Sequence, residues 1–262
     1  MSFFVKGSYM SQQEFTIDYL LDKQVKILQP IDGYRASGDA VLLAAYVNKV
    51  KKQSKILDVG SGTGAVSLCL AQRFKQLDPQ ITGLELQKNL AELSNKSAGE
   101  NGFDFLKFQL ADIRLGCAEN FLKPCSYDII VSNPPYSEHD MPSPNLSKAA
   151  AHNHSGFGLK QWLEFCLKMA KPFAKIYMVN RVEALPEICH VLYGKAGNIT
   201  ILPIYSKKGQ ETKRILVSAQ KDSKAPCRIL PPFVTHQNDG QYSGQAQKIL
   251  RQGLGFEEIM SF

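Results

Sequence analysis

The order of segments predicts an α/β chain built on a mostly parallel sheet that ends in an antiparallel pair. Three observations carry this. Between residues 55 and 132, short β-branched and leucine-rich runs alternate with stretches of helical period, the pattern of βαβ units. The first run passes through Gly60, Gly62 and Gly64 straight into a helical stretch, so a tight turn joins strand to helix. Near the C-terminus, the runs at 199–205 and 214–220 are joined by only a short turn, which rules out a crossover and makes that pair antiparallel.

Taken in order, residues 1–50 form an N-terminal extension, with a short helix at 41–45. Strand and helix then share the stretch 55–74, where Val66, Cys69, Leu70 and Phe74 recur at helical spacing and lay one face on the sheet. A strand at 81–86, a helix at 89–98, a turn at Asn101-Gly102 and a strand at 103–110 follow. The strand at 126–132 runs into Asn133-Pro134-Pro135-Tyr136, and the segment 138–158, rich in Pro, Ser, Asn and His, reads as a substrate lid. The helix at 159–170 carries Leu159, Trp162, Leu163, Cys166 and Met169 on one face, so Trp162 reads as core in preference to a functional residue. A strand at 174–179 comes next, then the antiparallel pair, in which Pro203 demands an edge position.

Composition narrows the class. At 262 residues with 44% hydrophobic and 21% charged content, the chain can bury a full core. Its start lacks a long apolar segment and its longest apolar run, 41–47, is too short to span a bilayer, so no membrane partner and a cytoplasmic location are expected. The six cysteines show no CxxC pairing and read as buried thiols of a reducing compartment, with no metal site. A net charge of +7 favours a polyanionic partner. The cations gather at Lys49, Lys51, Lys52 and Lys55 and again at Lys207, Lys208, Lys213 and Arg214. Each cluster reads either as a solvated face or as an RNA contact.

The chemistry is written in the strand ends. The amide oxygen of Asn133 and the carbonyl of Pro134 are two acceptors on a stiff loop, suited to the two hydrogens of a planar –NH2 group. Tyr136 offers an aromatic face for a flat base. The bland alternative is a rigid turn with a packed tyrosine. The glycine turn with Ala65 also fits a dinucleotide fingerprint, and Glu85, ending the second strand, could accept ribose hydroxyls from either kind of cofactor. Asp58 and the Asn-Pro-Pro-Tyr motif decide between them.

These residues resemble the class I S-adenosylmethionine-dependent methyltransferases over residues 54–221, with four motifs in the family's order. The resemblance implies a Rossmann-like, seven-stranded, mostly parallel sheet with an antiparallel edge pair, filling residues 51–262 with a C-terminal tail, and an extension at 1–50 packing on the cofactor site. It assigns Asp58, Gly60, Gly62, Gly64, Glu85, Asp112 and Asn133 to S-adenosyl-L-methionine, and catalysis to Asn133, Pro134 and Tyr136. The segments 32–47, 213–221 and 234–250 are similar to the bacterial methyltransferases that modify an adenine amine in a valine tRNA. That implies an RNA substrate, most simply a tRNA anticodon loop, and leaves the oligomeric state open. Asp39 is then either a helix N-cap or a neighbour of the cofactor's methionyl amine. Lys148, His152 and His154 are either exposed lid residues or phosphate contacts. Alternatives with the same loop are a glutamine-amide methyltransferase of release factors, a guanine-amine rRNA methyltransferase and a non-catalytic RNA-binding scaffold.

Overall fold

The computed structural model describes residues 15–33, 35–135 and 157–260. The chain opens with an antiparallel hairpin of β1 (Phe15–Leu20) and β2 (Val25–Pro30), followed by α1 (Gly38–Tyr46). The alternating body comprises β3 (Lys55–Val59), α2 (Ala65–Phe74), β4 (Gln80–Glu85), α3 (Lys88–Glu100), β5 (Leu106–Leu110), α4 (Gly116–Glu119) and β6 (Tyr127–Ser132). It continues through α5 (Leu159–Met169), β7 (Ala170–Arg181), α6 (Leu185–Leu192), β8 (Ala196–Tyr205) and β9 (Arg214–Lys221). The tail adds β10 (Arg228–Ile229), β11 (Phe233–Val234), α7 (Gly244–Gln252) and α8 (Phe256–Ile259).

The main sheet runs β10-β8-β9-β7-β6-β3-β4-β5, with β11 also on β8. β5, β4, β3, β6 and β7 are mutually parallel, and β9 is antiparallel to both β7 and β8, as the short turn requires. Nine strands join this sheet where seven are expected, because two-residue β10 and β11 pair in parallel with β8. They also correct the edge position expected of Pro203. β10 pairs Thr200 and Ile201, β11 pairs Ile204 and Tyr205, and Pro203, with no N–H to give, falls in the gap between them.

Both faces of the sheet are covered, which is why the strand sequences are nearly continuous in apolar residues. Ile56, Ile81, Ile129, Val131, Tyr177 and Val179 face one core with α1, α2, α7 and α8. Their neighbours Leu57, Val59, Leu84, Ile130, Ile176 and Met178 face the other, with α5 and α6. Pleating alone produces this division. α1 also covers α2, so α2 is buried from Ala65 to Ala71 on every side and not on one face only. The hairpin is tied to α3 by polar contacts: Lys26 N donates to Asn101 Oδ1 at 2.9 Å, and Leu28 N to Ser97 Oγ at 2.9 Å.

Some boundaries differ from expectation for local reasons. β5 starts at Leu106, because Asn101 and Gly102, at φ +67, finish α3 and Phe103 N bonds back to Ala98. β7 starts at Ala170, but residues 171–174 bulge, since Tyr127 pairs with Ala170 and Ile129 with Lys175. Cys69, Cys117 and Cys166 are buried as expected, whereas Cys125 and Cys227 are exposed on loops.

Candidate active site

The strand order reverses between β3 and β6, and the carboxyl ends of the strands open there into a cavity of about 1210 Å³. Open α/β sheets bind ligands at such switch points. Among the described residues, Asp39, Gly60, Gly62, Glu85, Asp112, Asn133 and Pro134 all line it. Asp58 and Gly64 stand behind that wall, and Tyr136, Lys148, His152 and His154 lie outside the described residues.

The glycine loop is held by its neighbours. Gly60 N and Ser61 N donate to Leu84 O at 3.0 and 2.9 Å, and Gly62 N donates to Glu85 Oε2 at 2.8 Å. Gly60, Gly62 and Gly64 adopt φ of +74, +57 and +81, where a side chain is strained. At Gly64 a Cβ would also lie 2.6 Å from the Phe108 ring, so this glycine seats α2 on the sheet. Three buried oxygens of the loop, Asp58 Oδ1, Ser61 Oγ and Thr63 Oγ1, lack a hydrogen-bond partner among the described residues. None of these three residues lines the cavity, so the oxygens face the packed interior behind it.

The acids differ in their surroundings. Burial pushes the Asp58 carboxyl up to about 7, against hydrogen bonds from Ser67 and with the charge of Glu85 adding to the rise. Burial raises Glu85 as well, against backbone donors at Gln87, Gly62 and Leu86. Asp112 is gripped by Arg114, whose Nε and Nη2 donate to its two oxygens at 2.7 and 2.6 Å. Asp39 corrects the N-cap reading: Ser37 caps α1, accepting from Asp39 N at 3.3 Å, while the Asp39 carboxylate pairs with Arg214 of β9.

A family described as a methyltransferase domain matches residues 50–219. The chain belongs to this methyltransferase family. Two curated relatives are both named tRNA1(Val) (adenine(37)-N6)-methyltransferase. The one from Pedobacter heparinus is 29% identical over 197 residues, covering 74% of this chain and 81% of its own. The one from Tolumonas auensis is 29% identical over 229 residues, covering 81% and 92%. Among solved structures, one described as a predicted O-methyltransferase from Agrobacterium tumefaciens aligns at TM-score 0.69 with 20% identity, covering 83% of this chain and 97% of that one. A type I restriction-modification methyltransferase subunit from Streptococcus thermophilus aligns at TM-score 0.51 with 18% identity, covering 73% and 45%. At those identities the two structures show the shared fold.

Several residues of this methyltransferase escape sequence reasoning. Trp162 packs half-buried against the core as expected, and it also lines the cavity and donates from Nε1 to Ser132 Oγ at 2.8 Å. Arg114 carries no motif signal except its position two residues after Asp112, where a local fork can close. Arg35 reaches the cavity from the segment after β2, with Nη2 on Asp18 at 2.6 Å. Of the two cation clusters, Lys213 and Arg214 line the cavity, whereas Lys49, Lys51, Lys52 and Lys55 lie before or at the start of β3, at the opposite end of the sheet. Among the described residues, no group of three or more His, Cys, Asp or Glu is placed to hold a metal, and no helix is long and apolar enough to cross a membrane.

Proposed function

We propose that this methyltransferase transfers the methyl group of S-adenosylmethionine to the N6 amine of an adenine in tRNA, in the cytoplasm. The observation that carries the reading is that Asn133 and Pro134, at the end of β6, open into the same cavity as Gly60, Gly62 and Glu85. At about 1210 Å³, it exceeds the roughly 300–1,000 Å³ of an ordinary ligand site, which leaves room for a nucleoside cofactor and an extruded base. The names of the curated relatives support adenine in tRNA as the acceptor.

S-adenosylmethionine, when bound, supplies an electrophilic methyl group on a sulfonium. The chain's own residues do the rest by placement. Glu85 presents its carboxylate to the ribose hydroxyls while Gly62 N holds it in orientation. Gly62 lets the backbone approach closely, Gly60 makes room for the Trp162 ring beside it, and Asp112, steadied by Arg114, faces the adenine end. Asp39, neutralised by Arg214, marks the methionyl end. The side-chain oxygen of Asn133 and the carbonyl of Pro134 accept the two hydrogens of the target amine. Its lone pair then points at the methyl carbon, and both acceptors stabilise the positive charge that develops on nitrogen. The methylated nitrogen would then give up its extra proton to water, and no residue of the chain need form a covalent bond to the methyl group.

The test is transfer of labelled methyl from S-adenosylmethionine to unmodified total tRNA, with rRNA and release factor in parallel. Label recovered as N6-methyladenosine from tRNA is expected. Label on release-factor glutamine or on rRNA guanine alone would overturn the substrate assignment.

A further inference from the structure

Trp162 is the chain's single tryptophan. Its indole lies against the glycine loop so closely that a Cβ built on Gly60 would come within 2.6 Å of the ring. Its Nε1–H donates to Ser132 Oγ at 2.8 Å, and Ser132 Oγ donates onward to the Val59 carbonyl at 2.7 Å. Ser132 is wholly buried, so this hydroxyl has no water to turn to. Phe157 meets the indole edge-on at 6.4 Å.

The position of this chain of bonds matters more than its number. Val59 and Ser132 form the last register pair of the β3–β6 ladder. Beyond it the backbones separate, one into Gly60 and the cofactor loop, the other into Asn133 and the loop of the target amine. Asn133 follows Ser132 directly, and Gly60 follows Val59. An aliphatic side chain at 162 could fill the same space, but it could not hold the Ser132 hydroxyl in its donating geometry.

We propose that Trp162 is a positioning residue that carries the register of β3 and β6 past the end of their ladder, fixing Asn133 against the glycine loop. For its effect on rate, the inference rests on the methyl-transfer reading; for its effect on loop order, it does not. In-line transfer tolerates little displacement between acceptor and donor, so losing the link should slow chemistry and spare cofactor affinity.

The experiment compares Trp162→Phe, Ser132→Ala and the double variant with the wild-type chain. Calorimetric affinity for S-adenosylhomocysteine should stay within about 3-fold, and KM for tRNA should hold, while single-turnover methyl transfer falls about 10- to 100-fold. The double variant should be no slower than the slower single, because both remove one link. Wild-type rates in Trp162→Phe, or independent losses that multiply in the double, would overturn the proposal. Hydrogen exchange supplies an arm that needs no activity: the amides of Gly60, Ser61 and Asn133 should exchange faster in both singles, with those of α3 unchanged as reference. Unchanged exchange there overturns the proposal. Should the wild-type chain methylate no RNA, the methyl-transfer reading fails and exchange alone decides; should Trp162→Phe not fold, Ser132→Ala decides in the same way.

Discussion

Asp58 and Asn133 sit at neighbouring strand ends in opposite electrostatic situations, and each makes a different prediction. Asn133 is neutral and offers acceptors; Asp58 is 1% exposed and carries a carboxyl raised to about 7. An acid whose folded pKa is raised binds its proton more tightly in the folded state. Its contribution to stability is therefore full below about pH 4 and is lost as pH rises through 7. Asp58→Asn, which keeps an acceptor for Ser67, should stabilise the ligand-free chain at pH 8 by on the order of 1–4 kcal/mol, seen as a higher Tm, and leave stability nearly unchanged at pH 4. Thermal melts at the two pH values check this, and a variant less stable at pH 8 contradicts it. Gly64 predicts the reverse direction. A methyl there meets Phe108 and an unfavourable φ, so Gly64→Ala should lose about 1–3 kcal/mol in denaturant titration.

At the scale of elements, legibility followed local chemistry. The parallel strands were readable because apolar runs of strand length alternate with helical spacing, and the glycine turn because only glycine takes its φ values without strain. The β1–β2 hairpin was not readable. Its turn contains no glycine, and Leu21, Asp22 and Lys23 take φ of +51, +51 and +69 themselves. α6 was hidden because Pro186 reads as a breaker, although in the first turn of a helix its missing N–H is no loss. Within the candidate site, the backbone-dependent residues were legible and the side-chain partners were not. Asp39–Arg214 joins residues 175 apart in sequence, and no local pattern announces such a pair. Trp162 shares a helical face with true core residues, yet it stands where that face reaches the strand tips. Being the chain's single tryptophan and part of the cavity wall, it should change emission when S-adenosylhomocysteine binds. A fluorescence titration that saturates without any spectral change, while calorimetry records binding, would contradict that placement.

For the whole molecule, the sheet separates two ends with different charge roles. Lys207, Lys208 and Lys213 lie on the loop between β8 and β9 at the cavity end, and Lys49, Lys51 and Lys52 at the other. On the proposed function, an RNA entering the cavity would meet the first group only. Lys208→Glu with Lys213→Glu should raise KM for tRNA and flatten its salt dependence, while Lys51→Glu with Lys52→Glu should change neither. Steady-state kinetics at two ionic strengths tests the distinction, and equal effects from both pairs would remove the cavity-end cluster from the RNA path.

The central claim is that a neutral acceptor loop at the tip of β6 performs methyl transfer by orienting an amine, so that Asn133, for which the resemblance implies both roles, serves the amine and not the cofactor. Its most direct test is single-turnover methyl transfer to tRNA by Asn133→Ala, measured beside calorimetric binding of S-adenosylhomocysteine to the same preparation. The rate should fall by about 100-fold or more with affinity nearly unchanged. A variant that transfers at the wild-type rate, or that loses affinity as much as rate, would contradict it.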